Sequence, residues 1–208
     1  MATINREQLV TAALAIIDEQ GSDALTMRTL AARVDRQVSS LYNHVGSRDE
    51  LIEHVRARIV AGIDASAFAD EPWDVALEAW ARSYLTAFAA HPNVIRLLAT
   101  TPIRDRSTLA FYDRVIGALV EAGWPLRDAV AVMRTVEAHV LGSALDIEAP
   151  GDLLDQATVP AELTTLHAAL DPRFTASTNA TAAFELGIRA LLDGLRTQHA
   201  ARIPRARV

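Results

Sequence analysis

A chain of 208 residues with 50% hydrophobic and only 5% aromatic content carries enough apolar material for one large or two small domains, with the Ala-, Leu- and Arg-rich profile of a helical protein. The absence of cysteine excludes a disulfide framework and a thiol nucleophile and suits a reducing interior. A formal net charge of −6 excludes a generally basic, nucleic-acid-coating surface, and every basic residue is arginine. The opening MATINREQ lacks the apolar stretch of a signal peptide, and no apolar run reaches the roughly 18 residues of a membrane span, so a cytoplasmic protein with no membrane contact is expected.

Asn5, with Gln8 three residues on, is placed to cap a first helix that buries Leu9, Ala13, Leu14, Ile16 and Ile17 and stops at Gly21. Beyond it, Leu25, Leu30, Ala31, Val34, Val38, Leu41, Tyr42 and Val45 recur at three- and four-residue steps, interrupted by Asp35-Arg36. That spacing predicts two short helices, Met27–Val34 and Gln37–Asn43, around a corner whose left-handed backbone an Asp tolerates. This is a helix-turn-helix, a DNA-reading device whose second helix enters the groove. Ser47 and Glu50 read as a capping box opening a helix over Ser47–Ala65, with Leu51, Ile52, Val55, Ile59 and Ile63 on its apolar side.

After a loop at Phe68–Pro72, a helix over Trp73–Ala90 ends at His91-Pro92, because a residue before proline avoids helical geometry. A short helix at Asn93–Ala99 is broken by Pro102. Ser107–Ala122 is periodic in Leu109, Tyr112, Val115, Ile116 and Leu119 and ends at Gly123, and Pro125 suits the first turn of a long helix over Leu126–Ile147. Residues 148–160 and 171–179 read as loops around a short helix at Ala161–Leu170. A last helix over Thr181–His199 precedes an Arg-rich tail, Arg202–Val208, expected to be disordered. The predicted fold is all-α: a three-helix head, residues 1–46, and a larger helical body, residues 47–208.

Charge is distributed unevenly. Residues 1–48 hold five arginines against five acids, and Arg28, Arg33, Arg36 and Arg48 surround the reading unit, so a small basic footprint sits on an acidic body. Arg28 can reach a guanine edge bidentately, although as an isolated residue it also reads as a solvated helix arginine. Gln37, Val38, Ser39 and Ser40 form the exposed first turn of the recognition helix, where Gln37 can pair with adenine and Val38 can meet a thymine methyl. Thr26, Ser47 and Arg48 suit phosphate contacts, the first two doubling as helix caps. Tyr42 and His44 read by themselves as a half-buried aromatic and a surface histidine. A head this small contacts few base pairs, so a homodimer on a pseudo-palindromic, double-stranded operator is expected. The helices at Leu126–Ile147 and Thr181–His199 would form its interface through Gly142, Ala144, Gly187 and Ala190, unless those small residues pack within one chain.

Thr26, Arg28, Leu30, Ala31, Leu41, Tyr42, His44, Val45 and Arg48 keep the spacing of the DNA-binding head of the tetracycline-repressor (TetR) family, which this chain resembles. Only the corner departs, with Asp35-Arg36 where the family usually has Gly-Val. The resemblance continues through His91-Pro92, Thr101-x-x-Arg104, Gly123-Trp124, Leu141-Gly142, Ala183-Phe184, Gly187, Gly194-Leu195 and Gln198, which look like the C-terminal domain of the tetracycline-responsive subgroup. It implies groove or phosphate contacts for Tyr42 and His44. It also implies a small-molecule pocket in the body whose occupation moves the fourth helix and re-spaces the two heads. Candidates to line that pocket are Trp80, Tyr84, Phe88, Leu97, Leu98, Thr101, Phe111, Met133, Glu137 and His139, each of which also reads as plain core. Leu97 stands where tetracycline-binding members carry a magnesium-ligating histidine, so the expected ligand is an apolar or amphipathic organic molecule other than magnesium-tetracycline.

The resulting expectation is a ligand-responsive regulator, most simply a repressor released from its operator. A constitutive or activating DNA binder of the same fold is the alternative, separated from it by whether a cavity exists. A helical carrier or enzyme is a distant third: no catalytic triad, phosphate loop or paired buried carboxylates emerge, and Asp146, Glu148 and Asp152 sit in a loop-like stretch. No cofactor is implied, and the six histidines lack metal-ligand spacing.

Overall fold

The chain's computed structural model describes residues 4–150 and 153–202, which form eleven α-helices joined by turns and short 3-10 segments, with no strand among them. Residues 203–208 of the Arg-rich tail, and 151–152 of the loop that includes Asp152, lie outside the described residues. No described helix is long and apolar enough to cross a membrane.

The head is built on local signals. Helix α1 (Arg6–Gln20) starts under a full capping box, Asn5 and Gln8 exchanging bonds between side chain and backbone N–H at 2.9 Å each way. It stops at Gly21, whose φ of 84° suits glycine and whose N–H donates to the Ile17 carbonyl. Helix α2 (Met27–Arg33) is capped by Thr26, and the corner after it turns at Asp35, φ 51°, the sole non-glycine residue with positive φ among the described residues. The Arg36 N–H then donates to the Ala31 carbonyl at 2.9 Å, satisfying an acceptor at the end of α2. The departure from glycine at this corner therefore keeps the left-handed geometry. Helix α3 is shorter than expected, Val38–Leu41 in place of Gln37–Asn43. A serine pair and Asn43 offer side-chain competition for backbone bonds, and the chain continues in turns to Gly46.

Helix α4 (Arg48–Val60) joins head to body. Ser47 Oγ accepts from the Glu50 N–H at 3.0 Å, but Glu50 reaches the Gly46 N–H at 2.8 Å, so the predicted box closes one residue further out. The helix ends at Val60 instead of Ala65, followed by Gly62, a weak helix former. Helices α5 (Trp73–Ala89), α6 (Ile95–Thr100), α7 (Arg106–Glu121) and α8 (Leu126–Ile147) follow the predicted pattern to within a few residues. Helix α9 spans Thr164–Ala169, and α10 (Thr175–Thr178) forms in a stretch read as loop, after a 3-10 turn opened by Asp171 and Pro172. Helix α11 (Ala180–Arg202) runs three residues beyond its expected end at His199.

One apolar core runs from Leu9 in the head to Leu195 in the body. Helix α8 is its centre, with α5, α7 and α11 against it, while α4 touches α1 on one side and α5 and α7 on the other. Helix α4 is thus packed against head and body alike.

Candidate nucleic-acid interface and effector cavity

The head presents a polar, solvent-facing surface around the helix corner. Thr26, Arg28, Gln37, Ser39, Tyr42 and Ser47 are exposed; Val38, Ser40, His44 and Arg48 are partly covered. Val38 leans on the core, which limits what it can offer a base. Thr26 Oγ1 accepts from the Thr29 N–H at 3.0 Å and Ser47 Oγ caps α4, so both hydroxyls hold local structure first.

The arginine cluster is less available than its sequence positions suggest. Arg33 forks onto Glu19, at 2.7 and 2.5 Å. Arg36 donates to the Asp35 carbonyl at 2.7 Å, and Arg48 Nε donates to the Leu25 carbonyl at 3.0 Å, tying the start of α4 to the segment before α2. Arg28 is exposed and makes no hydrogen bond or ion pair with any described residue. It is therefore the head arginine best placed to reach out.

The body contains a cavity of about 430 Å³ between α4, α5, α6, α7 and α8, within the size range of organic-ligand sites, roughly 300–1,000 Å³. Of the ten residues considered from sequence, Tyr84, Phe88, Leu98, Thr101, Met133 and Glu137 line it. Four do not. Trp80 is fully buried, edge-on to Tyr84; Leu97 and Phe111 pack against the core from outside; and His139 lies on another face of α8, stacked on Phe184 at 5.4 Å. Helical periodicity marks apolar positions but not which face meets a void. Arg56 and Tyr112 also line the cavity and were missed. The usable signal was Glu53 and Arg56, a charged pair set in the apolar stripe of Ile52, Val55 and Ile59.

The polar groups of this region form two networks. Glu137 Oε1 accepts from both Tyr84 Oη, at 2.8 Å, and Tyr112 Oη, at 2.7 Å. Burial, then the electrostatic influence of neighbouring Tyr112 and Glu137, pushes the Tyr84 hydroxyl far above its ordinary pKa; burial and Glu137 do the same for Tyr112. Both phenols thus remain protonated donors. The second network links α4 to the body. Glu53 Oε2 accepts from the backbone N–H groups of Arg104 and Asp105, at 2.5 and 2.7 Å, while its Oε1 accepts from Arg56 Nε at 3.1 Å. Arg56 Nη2 continues to the Thr101 carbonyl at 2.7 Å. Burial alone would raise the Glu53 pKa, but the two backbone donors and Arg56 together hold it below the ordinary carboxylate value.

A helix-turn-helix head on a helical body that holds an organic-sized, partly open cavity defines a one-component regulator, a DNA-binding protein with its own sensing domain. Residues 9–55 match the family of bacterial regulatory proteins called tetR, and residues 68–199 match the tetracyclin repressor-like C-terminal domain. The chain belongs to the TetR family and is a DNA-binding transcriptional regulator.

Among curated relatives, it is 30% identical to the class A tetracycline repressor protein from transposon 1721 of Escherichia coli, over 94% of this chain and 92% of that one. It is 28% identical to the HTH-type transcriptional repressor DrrR1 of Streptomyces coeruleorubidus, where the match spans 68% of this chain but only 53% of that protein. Among solved structures, a possible TetR family regulator from Streptomyces coelicolor A3(2) superposes with a TM-score of 0.76 at 35% identity, covering 93% of this chain and 99% of that one. The Streptomyces coelicolor TetR family protein ActR, in complex with actinorhodin, does so at 0.77 and 25%, covering 95% and 99%.

Proposed function

We propose that this protein is a homodimeric repressor that reads a two-fold operator with its two heads and lets go when an organic effector fills the cavity. We assign it no enzymatic reaction, its relatives being transcription regulators. The head, residues 1–46, reads DNA, and residues 47–208 sense and dimerise. Arg28 and Gln37 make base contacts, with Val38, Ser39 and Ser40 at their side. Thr26, Tyr42, His44, Ser47 and Arg48 hold phosphates.

The observation that carries the switch is the Glu53–Arg56 network. Arg56 belongs to α4, whose first turn is pinned to the head through Arg48, and it also lines the cavity and grips the segment 101–105. An effector pressing on Thr101, Pro102 or Ile103 moves α4 through these bonds and so changes the spacing of the heads. That cavity favours the ligand-controlled reading over a constitutive binder. No histidine lines it, in keeping with an organic effector other than magnesium-tetracycline.

Dimerisation through α8 and α11 is supported by apolar side chains left outward there: Leu126, Val130, Leu145 and Leu186 are 47–73% exposed. Gly142 and Ala190 are open to close approach, whereas Ala144 and Gly187 pack within the chain, Gly187 directly beneath His139. The test is selection of duplexes from a random pool by purified protein, followed by sedimentation of the complex. A pseudo-palindrome with half-site centres about 10–10.5 base pairs apart, or a simple multiple, bound by a dimer is expected. A monomer at micromolar concentration, or selected sites without two-fold symmetry, overturns the reading.

A further inference from the structure

We infer that Glu137 selects the effector, and that the cavity takes an apolar ring system carrying an outward hydroxyl or amine that donates a hydrogen bond to Glu137 Oε2. This rests on the reading of the cavity as the effector site. The polar groups around the cavity are already committed in one direction. Both tyrosine hydroxyls donate to Glu137 Oε1, the Thr101 hydroxyl donates to the Leu97 carbonyl at 2.7 Å, and Arg56 is engaged by Glu53 and the Thr101 carbonyl. Oε2 of Glu137 accepts nothing from the described residues. It is not among the enclosed atoms left without a partner, so it is accessible, on a residue that lines the cavity.

The charges point the same way. Arg56 is neutralised by Glu53 at 3.1 Å, whereas Glu137 has two neutral phenols and no ion pair with any described residue. Arg134, one turn earlier on α8, is exposed at the edge of the cavity. The remaining lining is apolar, with Phe88, Ile95, Leu98, Ile116 and Met133 prominent. A ligand without a donor would desolvate a carboxylate oxygen and return nothing, and an anionic group seated at Glu137 would meet like charge. Donation to a carboxylate is among the stronger hydrogen bonds a site can use for discrimination.

The test compares tricyclic probes of similar size by quenching of tryptophan fluorescence, checked by calorimetry. They are 2,6-dihydroxyanthraquinone, its 2,6-dimethoxy ether, 2,6-diaminoanthraquinone and anthraquinone-2-carboxylate. The dihydroxy or the diamino compound should bind at least about tenfold more tightly than the ether, the scale of a hydrogen bond to a charged group, and the carboxylate should bind worst. In Glu137→Gln, whose amide can donate as well as accept, the preference for a donor over the ether should fall to near unity. Retained binding of the ether shows that this variant keeps its cavity. Equal binding of donors and ether by the unaltered protein, tightest binding by the carboxylate, or no binding of any probe up to its solubility each overturns the inference. Operator binding by the probe-free protein is measured alongside: its loss would sink the regulator reading itself, whereas intact operator binding with non-discriminating probes sinks only the role of Glu137.

Discussion

Removing one partner of the Glu53–Arg56 pair should loosen the joint between head and body. Both side chains are nearly enclosed, at 10% and 6% exposure, and Glu53 accepts three hydrogen bonds, two of them from the backbone of the segment before α7. In Glu53→Gln the shape survives. However, one acceptor oxygen becomes an NH₂ facing donors, and Arg56 is left as a buried charge without its counter-ion. Breaking a buried pair from one side costs about 3–5 kcal/mol, or some 2–4 °C of melting temperature per kcal/mol for a domain of this size. Arg56→Met should cost a similar amount. The double variant Glu53→Gln/Arg56→Met should lose less than the sum by roughly 0.5–3 kcal/mol, because it leaves no orphaned charge. Urea unfolding at matched protein concentration measures the cycle, and amide hydrogen exchange at Arg104 and Asp105 reports the local joint. Single-variant costs below about 1 kcal/mol, with unchanged exchange at those two amides, would refute the network as the link between α4 and the cavity wall.

The same carboxylate sets a pH dependence. Its folded pKa lies below the ordinary value, so its stabilisation is fully present above the unfolded carboxylate value of about 4.3 and is lost as pH falls through the folded one. The stability gap between the unaltered protein and Glu53→Gln should therefore close on acidification below about pH 4, as followed by urea midpoints. Arg28→Ala should weaken operator binding by about 1–3 kcal/mol per half-site and relax preference at one base position, read by anisotropy on a panel of single-base operator variants; a uniform loss over all sequences would make Arg28 a phosphate contact. Asp35→Gly should keep the corner without loss of stability, whereas Asp35→Val should cost about 1–2 kcal/mol in thermal unfolding. Gly187→Ala would place a methyl 2.3 Å from His139 Cε1, so the ring must leave Phe184; an overpacking loss of about 1–3 kcal/mol is expected in the same assay.

The head was legible because its determinants are local: the Asn5 and Thr26 caps, the Asp35 corner and the Ser47 start of α4 are each decided by residues a few positions apart. Helix α8, with Pro125 before it and an unbroken apolar period, was legible for the same reason. Helix α10 was not, because Pro172 and a Ser/Thr-rich run carry equal signals for a loop and for a short capped turn. Most of the cavity lining, nine of its fifteen residues, escaped as well. Tyr84, Glu137 and Tyr112 lie on three helices, and their meeting at one carboxylate oxygen depends on how those helices pack, which no local pattern encodes. The commitments of Arg33, Arg36 and Arg48 escaped similarly, since proximity in sequence to a reading helix does not say whether a guanidinium already has a partner.

That last point bears on how a protein of net charge −6 controls DNA at all. Arg33 is neutralised by Glu19, while Arg6, Arg36 and Arg48 keep their charge but are steered by backbone carbonyls. Each head therefore brings only a few positive charges to the phosphates, and a single head should bind weakly and with a shallow salt dependence. Tight binding must then come from two heads engaging at once, the second at the effective concentration fixed by the dimer. Such a design is easy to switch. An effector need not disrupt any base contact; it has only to move α4 far enough that both heads no longer fit one operator, which forfeits the avidity gained by linkage. Coupling of about 1–3 kcal/mol, roughly 5–150-fold in affinity, suffices for this. A network of a few hydrogen bonds between Glu53, Arg56 and the segment 101–105 is on the scale needed to transmit it. By reciprocity, operator DNA must weaken effector binding by the same factor, so a repressor built this way senses its ligand less readily when seated on DNA than when free.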